Sequence, residues 1–351
     1  MTSPVDGPNC PVPHGVYRQI QLGHGSGGKM SAALLAERFL PHFGNPTLTK
    51  LGDAAVVDVA SSRLAVSTDT FVVRPLEFPG GNIGTLAIHG TVNDLAMMGA
   101  RAKYLTAGFV LEEGLELLTL DRIIAEMARA ASEAGVVIIT GDTKVVERGK
   151  ADGVFINTTG VGEMDAAFMP APERARPGDA VLVSGPIGRH GIAVMAVREG
   201  MAFEAEVESD TANLSPLVEL LRGAVGSAVH VLRDPTRGGM ASALNEIARA
   251  AGVGIMLDET AIPIPGPVSA ACEMLGFDPL YVANEGIMVA IVDHDSSELA
   301  LAALRAHPLG TEAVVIGRVV PEHAGLVALR TAIGGTRVVD MLPGDQLPRI
   351  C

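Results

Sequence analysis

Five aspartates stand where a fold could present them together. Gly52-Asp53 precedes an alternating run, 54–59, and Asp69 closes a run that starts at Leu64. Asn93-Asp94 lies inside a stretch of small residues, 84–98, that reads as a helix. A charged side chain there must face a cleft or be paired. Gly141-Asp142 follows the apolar run 136–140, read as a buried strand, and Asp234 opens Asp-Pro-Thr-Arg-Gly-Gly239. Carboxylates so placed can share Mg2+ ions that bridge the oxygens of a triphosphate. Singly, each also fits an N-cap or a turn, so only the joint pattern points to chemistry.

Two further residues have proton-transfer potential: Lys144, two past Asp142, and Glu285, in Ala-Asn-Glu-Gly286 between apolar runs. The plain alternatives are a surface lysine and a hairpin-turn glutamate. Cys351 ends the chain, whereas a prenylation signal places its cysteine four residues from the end. A cysteine on a flexible arm suits a carried, thioester-like group that visits both a donor enzyme and an internal site. Cys272, among apolar neighbours, reads as a buried small hydrophobe, and Cys10 is assigned nothing.

Gly23-His24-Gly25-Ser-Gly27-Gly28-Lys29 matches the first seven positions of a P-loop, between a predicted strand (17–22) and a predicted helix (31–40). The next position requires a Ser or Thr hydroxyl for Mg2+, and Met30 offers a thioether. A glycine loop that folds over a ligand is the better reading.

The elements that must position these residues follow from composition. The chain has 351 residues, 48% hydrophobic but only 3% aromatic, with 41 glycines. Small aliphatics and many glycines predict alternating strands and helices, an α/β or α+β protein of two domains. Residues 1–16 read as a flexible arm and 17–168 as a first domain. Three prolines within 169–178 mark a boundary. A second domain is expected over 169–335, and 336–351 reads as a flexible tail too polar and Pro/Gly-rich to be core. A net charge of −14 with few aromatics argues against a nucleic-acid partner. No run has the length of a membrane span, the start does not resemble a secretory signal, and three scattered cysteines fit a reducing cytoplasm.

Together the motifs resemble a known family. They are His24-Gly-Ser-Gly-Gly-Lys29, Ser67-Thr-Asp-Thr-Phe-Val-Val73, Phe78-Pro-Gly-Gly-Asn-Ile-Gly84 and Gly90-Thr-Val-Asn-Asp-Leu-Ala-Met-Met-Gly99. Further along come Thr140-Gly-Asp-Thr-Lys-Val-Val-Glu147, Asp234-Pro-Thr-Arg-Gly-Gly239, Ala283-Asn-Glu-Gly286 and Pro348-Arg-Ile-Cys351. The set is similar to the HypE family of hydrogenase maturation factors, the carbamoyl dehydratases of nickel–iron hydrogenase assembly. The terminal Pro-Arg-Ile-Cys carries most of the specificity, because the aspartate motifs are shared across the wider superfamily of aminoimidazole ribonucleotide and selenophosphate synthetases.

The resemblance implies a two-domain aminoimidazole ribonucleotide synthetase-like fold, with N-terminal sheets that form a barrel across a homodimer. It implies that Asp53, Asp69, Asp94 and Asp234 hold Mg2+ and the phosphates of ATP, with Asn93 and Asp142 beside them. His24, Gly25, Gly27, Gly28 and Lys29 would act as a lid on the nucleotide. The implied reaction dehydrates a carbamoyl group on Cys351 to a thiocyanate, with Glu285 and Lys144 as candidates for proton transfer. The implied partners are a HypF-type carbamoyltransferase as donor and a HypC–HypD-type iron scaffold as acceptor of the cyanide ligand. The arm before Tyr17 is not explained by these motifs, and Asn82 and Glu77 are given no role. A selenophosphate synthetase-like kinase would carry a reactive Cys or selenocysteine in the glycine loop, which has none. A non-catalytic carrier would leave the five acidic motifs without use.

Overall fold

The computed structural model describes residues 28–34, 36–37, 48–51, 53–59, 62–201, 207–342, 344, 347 and 349–351. The arm 1–16, the 17–22 strand, His24, Gly25 and Gly27 lie outside the described residues.

The described chain builds two sheets. The first contains β1 (Ala55–Val59), β2 (Ser62–Phe71), β5 (Ala100–Glu112), β6 (Val137–Val146) and β7 (Val154–Met164), in the order β1-β2-β7-β5-β6. The β5–β6 pair is parallel and the other pairs antiparallel. A two-stranded ribbon, β3 (Glu77–Phe78) and β4 (Gly81–Asn82), follows β2.

A short helix, α1 (Lys29–Leu34), opens the described chain. Helix α2 (Ile83–Met97) is buried along its whole length except at Asp94. Its small residues are what permit this. A Cβ on Gly84 would sit 2.4 Å from Ile123 O, in α3 (Leu117–Glu133), and one on Gly90 2.9 Å from the Phe71 ring. Asn82, without a role on sequence grounds, is the α2 N-cap: its Oδ1 accepts from Gly84 N and Thr85 N, while Thr85 Oγ1 accepts from Asn82 N.

One strand departs from expectation. The apolar run 136–140 predicts a buried strand that ends before Asp142, but β6 continues through Val146 and almost all of it is exposed. It is an edge strand, and among the described residues no element covers its outer side. Composition alone reads an apolar run as buried.

The second sheet has the order β14-β13-β10-β12-β8-β11-β9, from β8 (Ala180–Val183), β9 (Val229–Arg233), β10 (Gly254–Asp258), β11 (Val289–Val292), β12 (Val314–Val320), β13 (Val327–Arg330) and β14 (Thr336–Val339). Along β8, Val181 and Val183 face a core with Met240, Leu244 and Ile247 of α6 (Gly239–Ala251). Ala180 and Leu182 face another core, with Leu217 and Leu221 of α5 (Ser215–Val225) and Leu301 and Leu304 of α8 (Ser297–Arg305). Both faces being covered explains why these strands read as unbroken apolar runs.

A third core joins the two halves. Phe71, Ile83 and Leu86 pack in one cluster with Ile192 and Val194 of α4 (Arg189–Glu199), with Val268 of α7 (Gly266–Leu275), and with Val282, Leu347 and Ile350. The last two correct the reading of the tail as too polar to be core. Val339, Met341, Leu347 and Ile350 are all buried. Few apolar residues suffice at the end of the tail because Leu347 and Ile350 join a core already lined by the rest of the fold.

Candidate active site

Three aspartates converge between the sheets. Asp53 precedes β1, Asp94 projects from α2, and Asp234 follows the last residue of β9. Each offers a carboxylate oxygen, and these oxygens all lie within 4.8 Å of one another. The Ser67 hydroxyl donates to Asp94 Oδ2 at 2.6 Å. Arg233 pairs with Asp53 and with Glu246, so one cation already offsets part of the charge. Partial desolvation in the cleft, and then the charges of Asp234, Asp69 and Asp53, push the Asp94 carboxyl well above its ordinary range. Burial and Asp53 raise Asp234 to about 7. A pocket of oxygens whose burial and crowding disfavour full ionisation is what a hard divalent cation would relieve, so this donor set fits Mg2+.

Asp69, on β2, lies near this group. Its Oδ1 accepts from Thr70 N at 2.7 Å and is 3.9 Å from Arg237 Nη2. Asn93 spends its amide on backbone, donating to Ala212 O at 2.9 Å and accepting from Leu214 N at 2.8 Å. It therefore ties α2 to the segment that leads into α5.

Glu285 is not in a hairpin turn but in a buried loop before β11, with 3% of its surface exposed. Its backbone N–H and that of Gly286 donate to Asp210 Oδ1, at 2.7 and 3.1 Å. Only glycine fits at position 286, where a Cβ would sit 1.7 Å from Asp210 O. Glu285 Oε1 is buried without a partner among the described residues. Burial, then Asp234, Asp69 and Asp210, raise this carboxyl well above its usual range, with Arg237 opposing. The Cys351 thiol lies against it. Burial first, then the charge of Glu285 and a hydrogen bond to it, push the thiol upward, while Arg237 counteracts.

The remaining expected residues lie elsewhere. Lys144 Nζ pairs with Asp142 Oδ2 at 2.8 Å, both side chains more than 70% exposed on β6. The groups that act on Asp142 are Lys144 and Thr143, and none belongs to the acidic group. Within one chain, β6 therefore keeps this pair out of the site. Gly28 is buried at the start of α1, and Lys29 reaches Asp340 rather than the aspartates. Arg233, Arg237, Asp210 and Ser67 were missed on sequence. Arg237 and Ser67 lie inside quoted motifs, whereas Asp210 has no local signal at all.

Residues 51–164 match the model of the AIR synthase related protein, N-terminal domain, and 176–329 that of its C-terminal domain. The chain is 54% identical to the carbamoyl dehydratase HypE of Cupriavidus necator over 95% of both chains. It is 46% identical to that of Escherichia coli over 95% of this chain and 99% of the other. Among solved structures, a HypE in complex with ATP superposes with a TM-score of 0.80 at 51% identity, covering 93% of this chain and 98% of that one. A HypE–HypF complex gives 0.84 at 45%, covering 88% and 100%.

Proposed function

Because the chain belongs to the carbamoyl dehydratase HypE family, a family of enzymes of mixed α/β, two-domain architecture, we propose that it uses ATP to dehydrate a carbamoyl group carried on its own Cys351. The observation that carries this reading is the seating of the terminal thiol against buried Glu285, beside the acidic group. The product thiocyanate would supply the cyanide ligand of a hydrogenase iron centre. The HypE–HypF complex solved for a relative supports a HypF-type partner, which would be the carbamoyl donor, and a HypC–HypD-type scaffold would be the acceptor.

An amide oxygen is a very poor leaving group. In the proposed sequence the carbamoyl oxygen attacks the γ-phosphorus of ATP and the β–γ bridging P–O bond breaks, releasing ADP. The C–O bond then breaks as phosphate departs, and both amide protons are lost, leaving S–C≡N. Glu285, its basicity raised by burial, accepts an amide proton in this scheme. Asp53, Asp94 and Asp234 would hold Mg2+, which neutralises charge on the transferred phosphoryl group when bound. Arg237, 3.9 Å from Asp69 Oδ1 and near Cys351, supplies a cation beside the end that would carry the carbamoyl group.

Pairing of two N-terminal sheets into a barrel across a homodimer would cover the exposed apolar side chains of Val137, Ile139 and Val145 on β6. Asp142 and Lys144 lie on that strand, so they would serve the site of the second copy. No helix among the described residues is long and apolar enough to cross a membrane, and the proposed location is the cytoplasm.

The test uses the full-length chain carbamoylated at Cys351, mixed with ATP and Mg2+, with Cys351→Ala as control. Loss of one water from the intact mass, dependent on ATP and absent from the control, is the expected result. Equal ATP consumption by both chains with no dehydrated product would instead indicate a kinase of a free small molecule.

A further inference from the structure

The last three residues are gripped by their main chain. Cys351 O accepts from Val72 N at 3.0 Å and Arg349 O from Arg74 N at 3.3 Å. These pairs step in opposite directions, so the tail runs antiparallel to residues 72–74 beyond the end of β2, with Arg349 bent at a left-handed φ of 53° rather than extended. Ile350 O is held from another side, by His190 Nε2 at 2.8 Å. Arg198 Nη2 donates to both Arg349 O and Arg74 O, each at 2.6 Å, and so ties the tail to the segment it pairs with. Every carbonyl of residues 349–351 has a donor.

The direction of the His190 bond follows from its other partner. Nδ1 is 2.8 Å from Ser209 Oγ, which accepts from Thr211 N at 3.1 Å. Ile350 O, a carbonyl, can only accept, so Nε2–H donates to it, and Nδ1 of the neutral ring accepts the Ser209 hydroxyl proton, leaving Ser209 Oγ to accept from Thr211 N. The ring is fully buried and stands edge-on to Phe78, with centroids 5.4 Å apart. Burial lowers its pKa to about 4, so it is neutral in this arrangement.

We propose that His190, with Arg198 and the 72–74 segment, forms a docking groove that recognises the main chain of residues 349–351 and fixes the register in which the Cys351 side chain faces Glu285. His190 is a positioning residue: it touches the arm, not the reacting atoms. Because separate donors meet the main-chain oxygens of residues 349, 350 and 351 in turn, an added residue displaces the thiol from Glu285, so the groove measures the length of the tail as well as holding it. The consequence for catalysis rests on the carbamoyl dehydratase reading; the docking itself does not.

Three full-length chains test this: His190→Leu, His190→Gln, and one with an alanine inserted between Ile350 and Cys351. The first readout is the rate at which iodoacetamide labels uncarbamoylated Cys351, resolved from Cys10 and Cys272 by peptide mass. Loss of one buried hydrogen bond should speed labelling about fivefold or more in His190→Leu, while His190→Gln, which keeps an N–H donor, stays near the parent. The second readout is single-turnover water loss from the carbamoylated chains at saturating ATP and Mg2+. His190→Leu should slow it about fivefold or more with ATP affinity unchanged to within about twofold, and the inserted alanine should abolish it. Parental labelling in His190→Leu, or dehydration of the inserted chain at the parental rate, would overturn the proposal. So would a His190→Gln chain, folded and ATP-binding, that behaves like His190→Leu. If the labelling results hold but no chain, including the parent, loses water, the groove stands and the dehydratase reading falls.

Discussion

At Glu285 the fold surrounds one carboxylate with burial and three acidic neighbours, and leaves Oε1 without a partner among the described residues. Such a group is a stronger base than a solvated glutamate, because losing its proton creates a charge in a medium that disfavours it. Under the proposed mechanism, Glu285→Gln should retain ATP binding while single-turnover dehydration falls by about 10²–10⁴, followed by intact mass. The sign of the pH dependence follows. A base must be deprotonated to act, so the rate rises with pH through a pKa well above the ordinary range of a glutamate. That acid limb should disappear from any residual rate of Glu285→Gln. Asp94 illustrates what sequence reading achieves at this scale. A charge in a helix of small residues demands a cleft or partner, and Asp94 is the one residue of α2 that is not buried, held by Ser67.

Helix α2 is the element on which the site hangs, since it presents Asp94 toward the other carboxylates and Asn93 toward the backbone near α5. Its start is fixed by Asn82, whose side chain serves two backbone donors that would otherwise be unpaired inside the protein. Asn82→Ala should cost about 1–2 kcal/mol, read as a lower midpoint in urea unfolding with an unchanged slope. Affinity for ATP should fall as well, because loosening the first turn of α2 loosens Asp94. The cap was not legible from Asn82 itself, an unremarkable residue after two glycines. What identifies it is the observed geometry, with Thr85 three residues on reciprocating the bond.

At the scale of the whole molecule, β6 is incompletely covered. It exposes Val137, Ile139 and Val145, and carries Asp142 and Lys144 away from the chain's own carboxylates. The proposed homodimer makes a sharp prediction. Lys144→Ala and Glu285→Gln chains should each be nearly inactive alone, yet recover up to about a quarter of parental activity when unfolded together and refolded as mixed dimers. No recovery, with mixed dimers demonstrated by native mass spectrometry, would place Lys144 at its own chain's site or outside the chemistry. A charge on the exposed face, Ile139→Lys, should shift the mass measured by light scattering toward that of one chain.

The sequence by itself determined the local parts: alternating strands and helices, small residues along α2, glycine-bearing turns around the aspartates, and a cysteine at the very end. These are set by neighbours a few positions apart, so composition and spacing reveal them. The tertiary structure alone decided which carboxylates meet, that Arg233 pairs with Asp53, that Asp210 buttresses the Glu285 loop, and that the tail docks with its thiol against Glu285. Those contacts join residues far apart in the chain, and no local pattern encodes which of many polar groups a fold brings together. The same reason explains the two misreadings. The apolar run of β6 is exposed because nothing in the described chain packs over it, and the sparse apolar residues of the tail are buried because a groove built by distant segments receives them.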